Sequence, residues 1–200
     1  MNKRCIILGS GYSLKGFKFW SLKDEDVFAV NKMGYFAPFA KNIVFWDGNF
    51  YDRERKKLNK LKGKKHTICY WTRQREDNRD PNIEYWINYG YEKIAREKPF
   101  VSNSNMSVLF AINIALHQGY KEIYLLGCDN KLTDNFVHFY DKEKSMKLIK
   151  NYIVAFSVMR RFCGEFKKQL FADEKIITVG DTDLSMFDNM SIEEFNTSLL

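Results

Sequence analysis

The sequence Arg4-Cys5-Ile6-Ile7-Leu8-Gly9-Ser10-Gly11-Tyr12-Ser13-Leu14 joins a short apolar run to a turn that contains two glycines. An apolar run of this length, bounded by glycine, predicts a β-strand that is buried on both faces. Because glycine permits a tight turn and a close approach of the backbone, the amides of residues 9–13 are expected to face an anion. The turn lacks the complete GxGxxG spacing and the lysine of a P-loop, so a turn that serves chain geometry alone is the alternative.

Further apolar runs alternate with helical patterns along the rest of the chain. The predicted strands are residues 4–9, 26–31, 42–47, 66–71, 122–127 and 175–179. Residues 105–118 are apolar nearly all round and predict a buried helix, whereas residues 142–170 predict a surface helix with one apolar stripe. This alternation is typical of a Rossmann-like α/β fold, an open and mostly parallel sheet with helices on both faces. We expect one domain over residues 1–200, with an irregular insertion or lid at about 72–101, for which a pair of short helices capping the sheet is the alternative.

The cysteines and the apolar runs bear on the cell compartment. Cys5, Cys69, Cys128 and Cys163 are far apart and show no CxxC spacing, which predicts buried, reduced thiols. No apolar run is long enough for a signal-peptide core or a membrane span. A cytoplasmic protein is therefore expected, with attachment to the inner face of the membrane as an alternative.

Positive charge is concentrated in one segment. The formal net charge is +7, and residues 53–75 contain ten lysines and arginines. A basic segment predicts an anionic partner, which is a nucleotide, a nucleic acid or an acidic membrane surface. A solvated helix face that has no partner is the alternative.

Small polar residues follow the predicted strands, where a parallel sheet binds its ligands. Asn31 and Asp47 follow the second and third predicted strands, Ser104 and Asn105 precede the buried helix, and Asp129 follows the strand at 122–127. Helix-capping residues can also present amides to phosphate or carboxylate. The predicted nucleotide-binding residues are Gly9, Ser10, Gly11, Ser13, Asn31, Asp47, Ser104, Asn105 and Asp129.

His138 is the predicted catalytic residue. It lies on the loop after Asp129, beside Tyr140 and within reach of Asp129 or Asp141, where an imidazole can act as a general base near neutral pH. Tyr140 is predicted to act with it. His66 and His117 occupy positions typical of structural residues, and a surface role is the alternative for His138.

The segments 6–14, 26–31 and 111–129 together resemble the bacterial CMP-sialic acid-dependent sialyltransferases. They also resemble the related group that includes motility accessory factors and archaeal 6-hydroxymethylpterin diphosphokinases. The resemblance covers residues 4 to about 141, and a looser one covers the tail around residues 183–195. In these families a proline is common where this chain has Tyr12, and a second asparagine stands where it has Asp47.

The resemblance implies a transferase whose first turn and Asn31 contact a nucleotide. It also implies that the Ser104-Asn105 turn contacts phosphate or carboxylate and that His138 deprotonates an acceptor hydroxyl. A sialyltransferase-like enzyme would need no metal. A diphosphokinase would use ATP and Mg²⁺, held by Asp47, Asp129 or both. A non-catalytic nucleotide or nucleic-acid binder is the third alternative. The expected partners are a nucleotide or nucleotide-sugar donor, a glycan or small-molecule acceptor, and a second copy of the chain in a homo-oligomer.

Overall fold

A nine-stranded parallel sheet organises the residues that the computed structural model describes, which are 3–68, 80–90, 92–102, 106–133, 136, 138–140 and 146–199. The strands are β1 (Arg4–Leu8), β2 (Val27–Val30), β3 (Asn42–Val44), β4 (Lys64–Ile68), β5 (Ile83–Gly90), β6 (Phe100–Ser102), β7 (Glu122–Leu126), β8 (Lys175–Val179) and β9 (Asp188–Met190). Their order is β6-β5-β4-β3-β2-β1-β7-β8-β9, and each described pairing is parallel. The predicted Rossmann-like α/β class is confirmed.

Helices lie on both faces of the sheet. They are α1 (Met33–Phe36), α2 (Gly48–Leu58), α3 (Ser107–His117), α4 (Met146–Lys168) and α5 (Ile192–Ser198), with 3-10 turns at Tyr12–Leu14 and Phe19–Leu22. Apolar side chains of α3 and α4 share one core cluster, and those of α1 and α5 share a cluster on the opposite face. Within the described part of the chain, every helix is too short or too polar to cross a lipid bilayer.

The alternating side chains of β1 connect these two clusters. Cys5 and Ile7 pack on the α3 and α4 side, whereas Ile6 and Leu8 pack on the α1 and α5 side. All four side chains are almost completely buried. Burial of one aliphatic side chain is worth about 1.5–3 kcal/mol, so the side chains of β1 contribute strongly to both core clusters.

Two strands, β5 and β6, lie within or at the end of the segment for which the sequence predicts an irregular insertion or lid, residues 72–101. The prediction is wrong for these residues, because β5 pairs with β4 and buries Ile83 and Trp86. Aromatic residues favour strands, and this signal was present in the sequence. Residues 69–79, which include Cys69 and the predicted end of the fourth strand, lie outside the described residues.

The predicted buried helix is confirmed, but its start differs from the prediction. α3 begins at Ser107, and its N-cap position is Met106, which makes no side-chain capping bond. The helix ends where expected, before Gly119, whose φ of 79° lies in the left-handed region that favours glycine. Ser104 and Asn105 lie outside the described residues.

Glu174 joins three parts of the chain beside this core. It accepts hydrogen bonds of 2.7 and 2.8 Å from Arg96 and one of 2.9 Å from the Phe171 amide, and it pairs with Lys121. Burial alone would raise the pKa of Glu174, but these bonds outweigh it and hold the pKa below its usual range. Its carboxylate therefore stabilises the fold above the ordinary pKa of glutamate, and this contribution is lost as the pH falls through the depressed pKa.

We expect Glu174→Gln to lower the free energy of unfolding by about 1.5–3 kcal/mol at pH 7, because hydrogen bonds to a charged group are lost. The difference from the parent protein should shrink as the pH is lowered toward 3. Urea unfolding at several pH values measures it, with Glu193→Gln on the exposed face of α5 as the control. A pH-independent difference would contradict the assigned ionic role.

Candidate functional site

The turn after β1 packs directly against the turn after β7, at the point where the strand order reverses. The Gly9 amide donates to the Leu126 carbonyl oxygen (2.8 Å), and the Gly11 amide donates to the Gly127 carbonyl oxygen (2.7 Å). A Cβ atom at Gly9 would overlap the Gly127 carbonyl group, and one at Gly11 would overlap the Asp129 carboxylate. The two glycines therefore permit a close contact between the two turns, and the amides of Gly9 and Gly11 are not directed at a ligand.

Asp129 completes this contact between the turns. Its Oδ2 accepts from the Ser13 amide (2.8 Å), and its Oδ1 accepts from the Ser13 hydroxyl (2.5 Å). Burial raises the pKa of Asp129, although the bonds from Ser13 favour its charged form. Two predicted ligand-binding residues thus bind each other, and the Ser13 amide is the third amide of the turn that an internal bond occupies.

A cavity of about 280 Å³ opens beside these turns, beneath the first half of α4. We call it the apolar cavity, because most of its exposed wall is apolar surface, to which these side chains contribute: Val30, Met106, Val108, Cys128, Ala155, Phe156 and Met159. Its polar lining comes from the turns after β1, β2 and β7, from Ser107, from His138 and from Tyr152. It lies at the C-terminal ends of parallel strands, the place where open α/β sheets bind ligands.

A second cavity, of about 480 Å³, adjoins the first on the β3 side. We call it the polar cavity. It is lined by Asn31, Lys32, Trp46, Asp47, Phe50, Arg53, Ser107, His138, Tyr140 and Tyr152. Four of these residues, Asn31, Ser107, His138 and Tyr152, line the apolar cavity as well, so the two cavities form one cleft with a shared wall.

His138 lies in this shared wall. Its Nδ1 is 2.8 Å from the Ser10 hydroxyl oxygen, and a short antiparallel bridge pairs its backbone with Gly11. The Tyr140 ring stacks on the imidazole at 5.1 Å, and the Tyr152 ring meets it edge-on at 6.1 Å. One ring nitrogen is thus fixed by Ser10 and the ring plane by two tyrosines, an arrangement that orients a histidine for proton transfer.

Asn31 and Ser107 form the rest of the shared wall. Asn31 adopts a φ of 53°, a left-handed conformation that asparagine tolerates better than most residues. Its Oδ1 accepts from the Ser107 hydroxyl (3.3 Å), which itself accepts from the Trp46 amide (3.1 Å). This chain of bonds fixes the ends of β2 and β3 against the start of α3.

Asp47 lies in the polar cavity as the N-cap of α2. Its Oδ1 accepts from the Asn49 amide (2.9 Å), and its Oδ2 is 3.8 Å from Arg53. The described residues contain no group of three or more histidine, cysteine, aspartate or glutamate side chains placed to hold a metal ion. Asp47 and Asp129 also line different cavities, and both have protein partners.

The structure brings together some predicted site residues and not others. Gly9, Ser10, Gly11, Asn31, Asp129 and His138 line the apolar cavity, and Asn31, Asp47, His138 and Tyr140 line the polar one. Ser13 binds Asp129, and Asp141 lies outside the described residues. Sequence reasoning missed Lys32, Arg53, Ser107 and Tyr152. Lys32 directly follows the predicted residue Asn31, so its position was a usable signal.

Other residues that the sequence singled out have structural roles. His66 is fully buried, with its Nε2 2.9 Å from Asn42 Oδ1, and His117 Nε2 is 2.9 Å from the Phe100 carbonyl oxygen. Cys5, Cys128 and Cys163 are free and buried, as predicted, and burial raises the pKa of each thiol.

Nearby acids neutralise part of the basic segment. The described ion pairs are Arg53 with Asp47 (3.8 Å), Arg55 with Asp80 (3.5 Å), Lys57 with Glu54 (3.1 Å) and Lys64 with Glu84 (2.9 Å). Lys65 donates to the Leu61 carbonyl oxygen (2.7 Å). These contacts favour local pairing over one continuous anion-binding surface in this part of the chain, and only Arg53 among these cations lines the cleft.

Comparisons of the chain with protein-family models, with curated proteins and with solved structures found no match.

Proposed function

We propose that the protein is a glycosyltransferase that transfers a sugar from a nucleotide donor, of the CMP type, to an acceptor hydroxyl. The observation that carries the proposal is the position of His138, which faces both cavities of the cleft while Ser10 holds its Nδ1. A base in a wall shared by two cavities can meet a donor on one side and an acceptor on the other.

The proposed chemistry uses the tautomer of His138 in which Nδ1–H donates to the Ser10 hydroxyl oxygen and Nε2 holds the lone pair. Nε2 takes the proton of the acceptor hydroxyl as its oxygen forms a bond to the anomeric carbon. The bond from that carbon to the donor phosphate breaks, and its electron pair leaves on the phosphate oxygen. The products are a glycoside, the free nucleotide and one proton held by the imidazole.

The polar cavity is the proposed place of the nucleotide. Lys32 and Arg53 supply positive charge for phosphate, and Trp46 and Phe50 supply aromatic faces for a base. The first turn has fewer amides available for a phosphate, because those of Gly9, Gly11 and Ser13 donate hydrogen bonds to the end of β7 and the turn after it. The phosphate expected at this turn is therefore assigned to the neighbouring cavity.

A thermal-shift screen tests the proposal. It compares CMP, CDP, UDP, GDP, ADP and ATP with and without Mg²⁺, since a specific ligand stabilises the folded state by mass action. We expect a cytidine nucleotide to stabilise most, without a requirement for Mg²⁺, and CMP-N-acetylneuraminic acid to be consumed when an acceptor is present. Stabilisation by ATP with Mg²⁺ alone would favour the diphosphokinase, and stabilisation by none of the six would reject a nucleotide-dependent enzyme.

Arg53→Ala is expected to weaken nucleotide binding about tenfold, because a cation that pairs with phosphate is worth about 1.4 kcal/mol at a partly exposed site. Lys56→Ala is the matched control. It removes the same charge from the exposed surface of α2, and Lys56 does not line either cavity. Calorimetric titration with the nucleotide from the screen measures both variants. Equal losses of nucleotide affinity in the two variants would mean that Arg53 contributes only through the net charge of α2.

A further inference from the structure

We infer that the apolar cavity binds the body of the acceptor, and that this acceptor is a small apolar hydroxyl compound, aromatic or alicyclic, and not a polyhydroxylated sugar. The inference rests on the proposed function in one respect, namely that the occupant of this cavity is the acceptor. The nature of the occupant follows from the cavity wall itself.

The apolar part of the wall is well defined. Val30, Cys128 and Met159 are each less than 10% exposed, and Phe156 stacks on Tyr152 at 6.1 Å. An occupant in contact with this surface gains free energy in proportion to the apolar area that it removes from water. At about 280 Å³, the cavity suits a compound of roughly one or two rings, just below the usual range of about 300–1,000 Å³ for drug-sized ligands.

Several polar side chains of the same wall have partners within the protein. Ser10 pairs with His138, Ser107 donates to Asn31, and Asp129 accepts from Ser13. Asn130 donates to the Phe156 carbonyl oxygen (3.1 Å), and Lys131 pairs with Asp181.

A sugar with several hydroxyls would have to compete with these internal bonds or bury hydroxyls without partners. Each unpaired polar group that is buried carries a penalty of roughly 1–3 kcal/mol. A compound with one hydroxyl avoids this penalty, because that hydroxyl can point at His138 while the apolar body faces Val30 and Met159.

The cavity contains its own reporters for a direct test. Met106 and Met159 line it, whereas Met33 is buried on the opposite face of the sheet. The protein has seven methionines, so a sample labelled with ¹³C at the methionine methyl groups gives a simple spectrum, which single Met→Leu variants assign. The probes are phenol, cyclohexanol and galactose.

We expect phenol and cyclohexanol to shift the Met106 and Met159 signals in a saturable way and to leave Met33 in place, and galactose to shift none of them at equal concentration. Ala155→Phe, which puts a ring into the cavity, should abolish the shifts. Val154→Phe is the matched control, because residue 154 is the neighbour on α4 and is 64% exposed. Val108→Phe blocks the cavity from α3 and replaces Ala155→Phe if that variant does not fold.

The inference would be overturned if galactose shifted the Met159 signal at a lower concentration than phenol, or if phenol left both the Met106 and the Met159 signals in place. If phenol shifts Met159 but no nucleotide stabilises the protein, the binding site stands and the proposed function fails. If a nucleotide binds, glycoside formation from the corresponding sugar nucleotide should be faster with cyclohexanol than with galactose, and the reverse order would reject an apolar acceptor.

Discussion

His138→Gln is expected to lower the rate of glycosyl transfer about 10²–10⁴-fold, because general base catalysis contributes a factor of that size. Glutamine keeps a polar group in the shared wall but cannot take a proton near neutral pH. Nucleotide binding, measured by the thermal shift, should change little, because the cations and most aromatic rings of the polar cavity are untouched. The expected signature is therefore a loss of turnover without a loss of the nucleotide-induced stabilisation.

His117→Gln provides the matched control for this variant. His117 lies at the end of α3, where its Nε2 meets the Phe100 carbonyl oxygen, and it lines neither cavity. We expect this control to lower thermal stability at most and to retain transfer. Initial rates of glycosyl transfer measure the difference between the two variants. Unchanged transfer by His138→Gln would remove the histidine from the mechanism.

Gly127→Ala is expected to lower the free energy of unfolding by about 2–5 kcal/mol, the largest stability change among the variants considered. Gly127 adopts a φ of 68°, which costs an L-residue about 1–2 kcal/mol. An added Cβ atom would also overlap the buried Leu14 side chain and lie 2.9 Å from the Gly9 carbonyl oxygen, and such overpacking costs about 1–3 kcal/mol more.

Two other glycines separate the contributions of strain and overlap. Gly119 has a φ of 79° but open space around an added Cβ, so Gly119→Ala should cost only about 1–2 kcal/mol. Gly164 lies in α4, also with open space, and Gly164→Ala should stabilise the protein by about 0.5–1 kcal/mol. Urea unfolding at pH 7 gives all three values. Equal effects at Gly127 and Gly119 would show that the contact between the two turns carries little energy.

The central strands were predictable from the sequence because their local pattern matches their environment. The runs in β1 and β7 are apolar on both faces, and both faces are covered by helices. β5 was missed although its aromatic residues favour a strand, because no helical pattern separates it clearly from its neighbours. β9 is three residues long and partly exposed, too short for any periodicity.

The role of the first turn was not predictable from its glycines. Two glycines with small polar residues are compatible with a phosphate-binding loop and with a close contact between two loops. Which of these roles the turn has depends on the segment that the fold places opposite it. Here the turn after β7 lies opposite the first turn, and its Asp129 accepts hydrogen bonds from Ser13. The positions of Asn31 and His138 in the cleft were predictable, because Asn31 directly follows β2 and His138 lies on the loop after β7. Arg53 and Tyr152 lie on helices, and tertiary packing alone decides which side of a helix faces the cleft.

The shared wall of the cleft has a thermodynamic consequence. Asn31, Ser107, His138 and Tyr152 face both cavities, and hydrogen bonds join the first two of them to the end of β3. A ligand that moves any of these side chains changes the affinity of the other cavity. By linkage the change is equal in both directions, so the order in which two substrates bind has no effect on the total binding free energy, and only the rates distinguish the two routes.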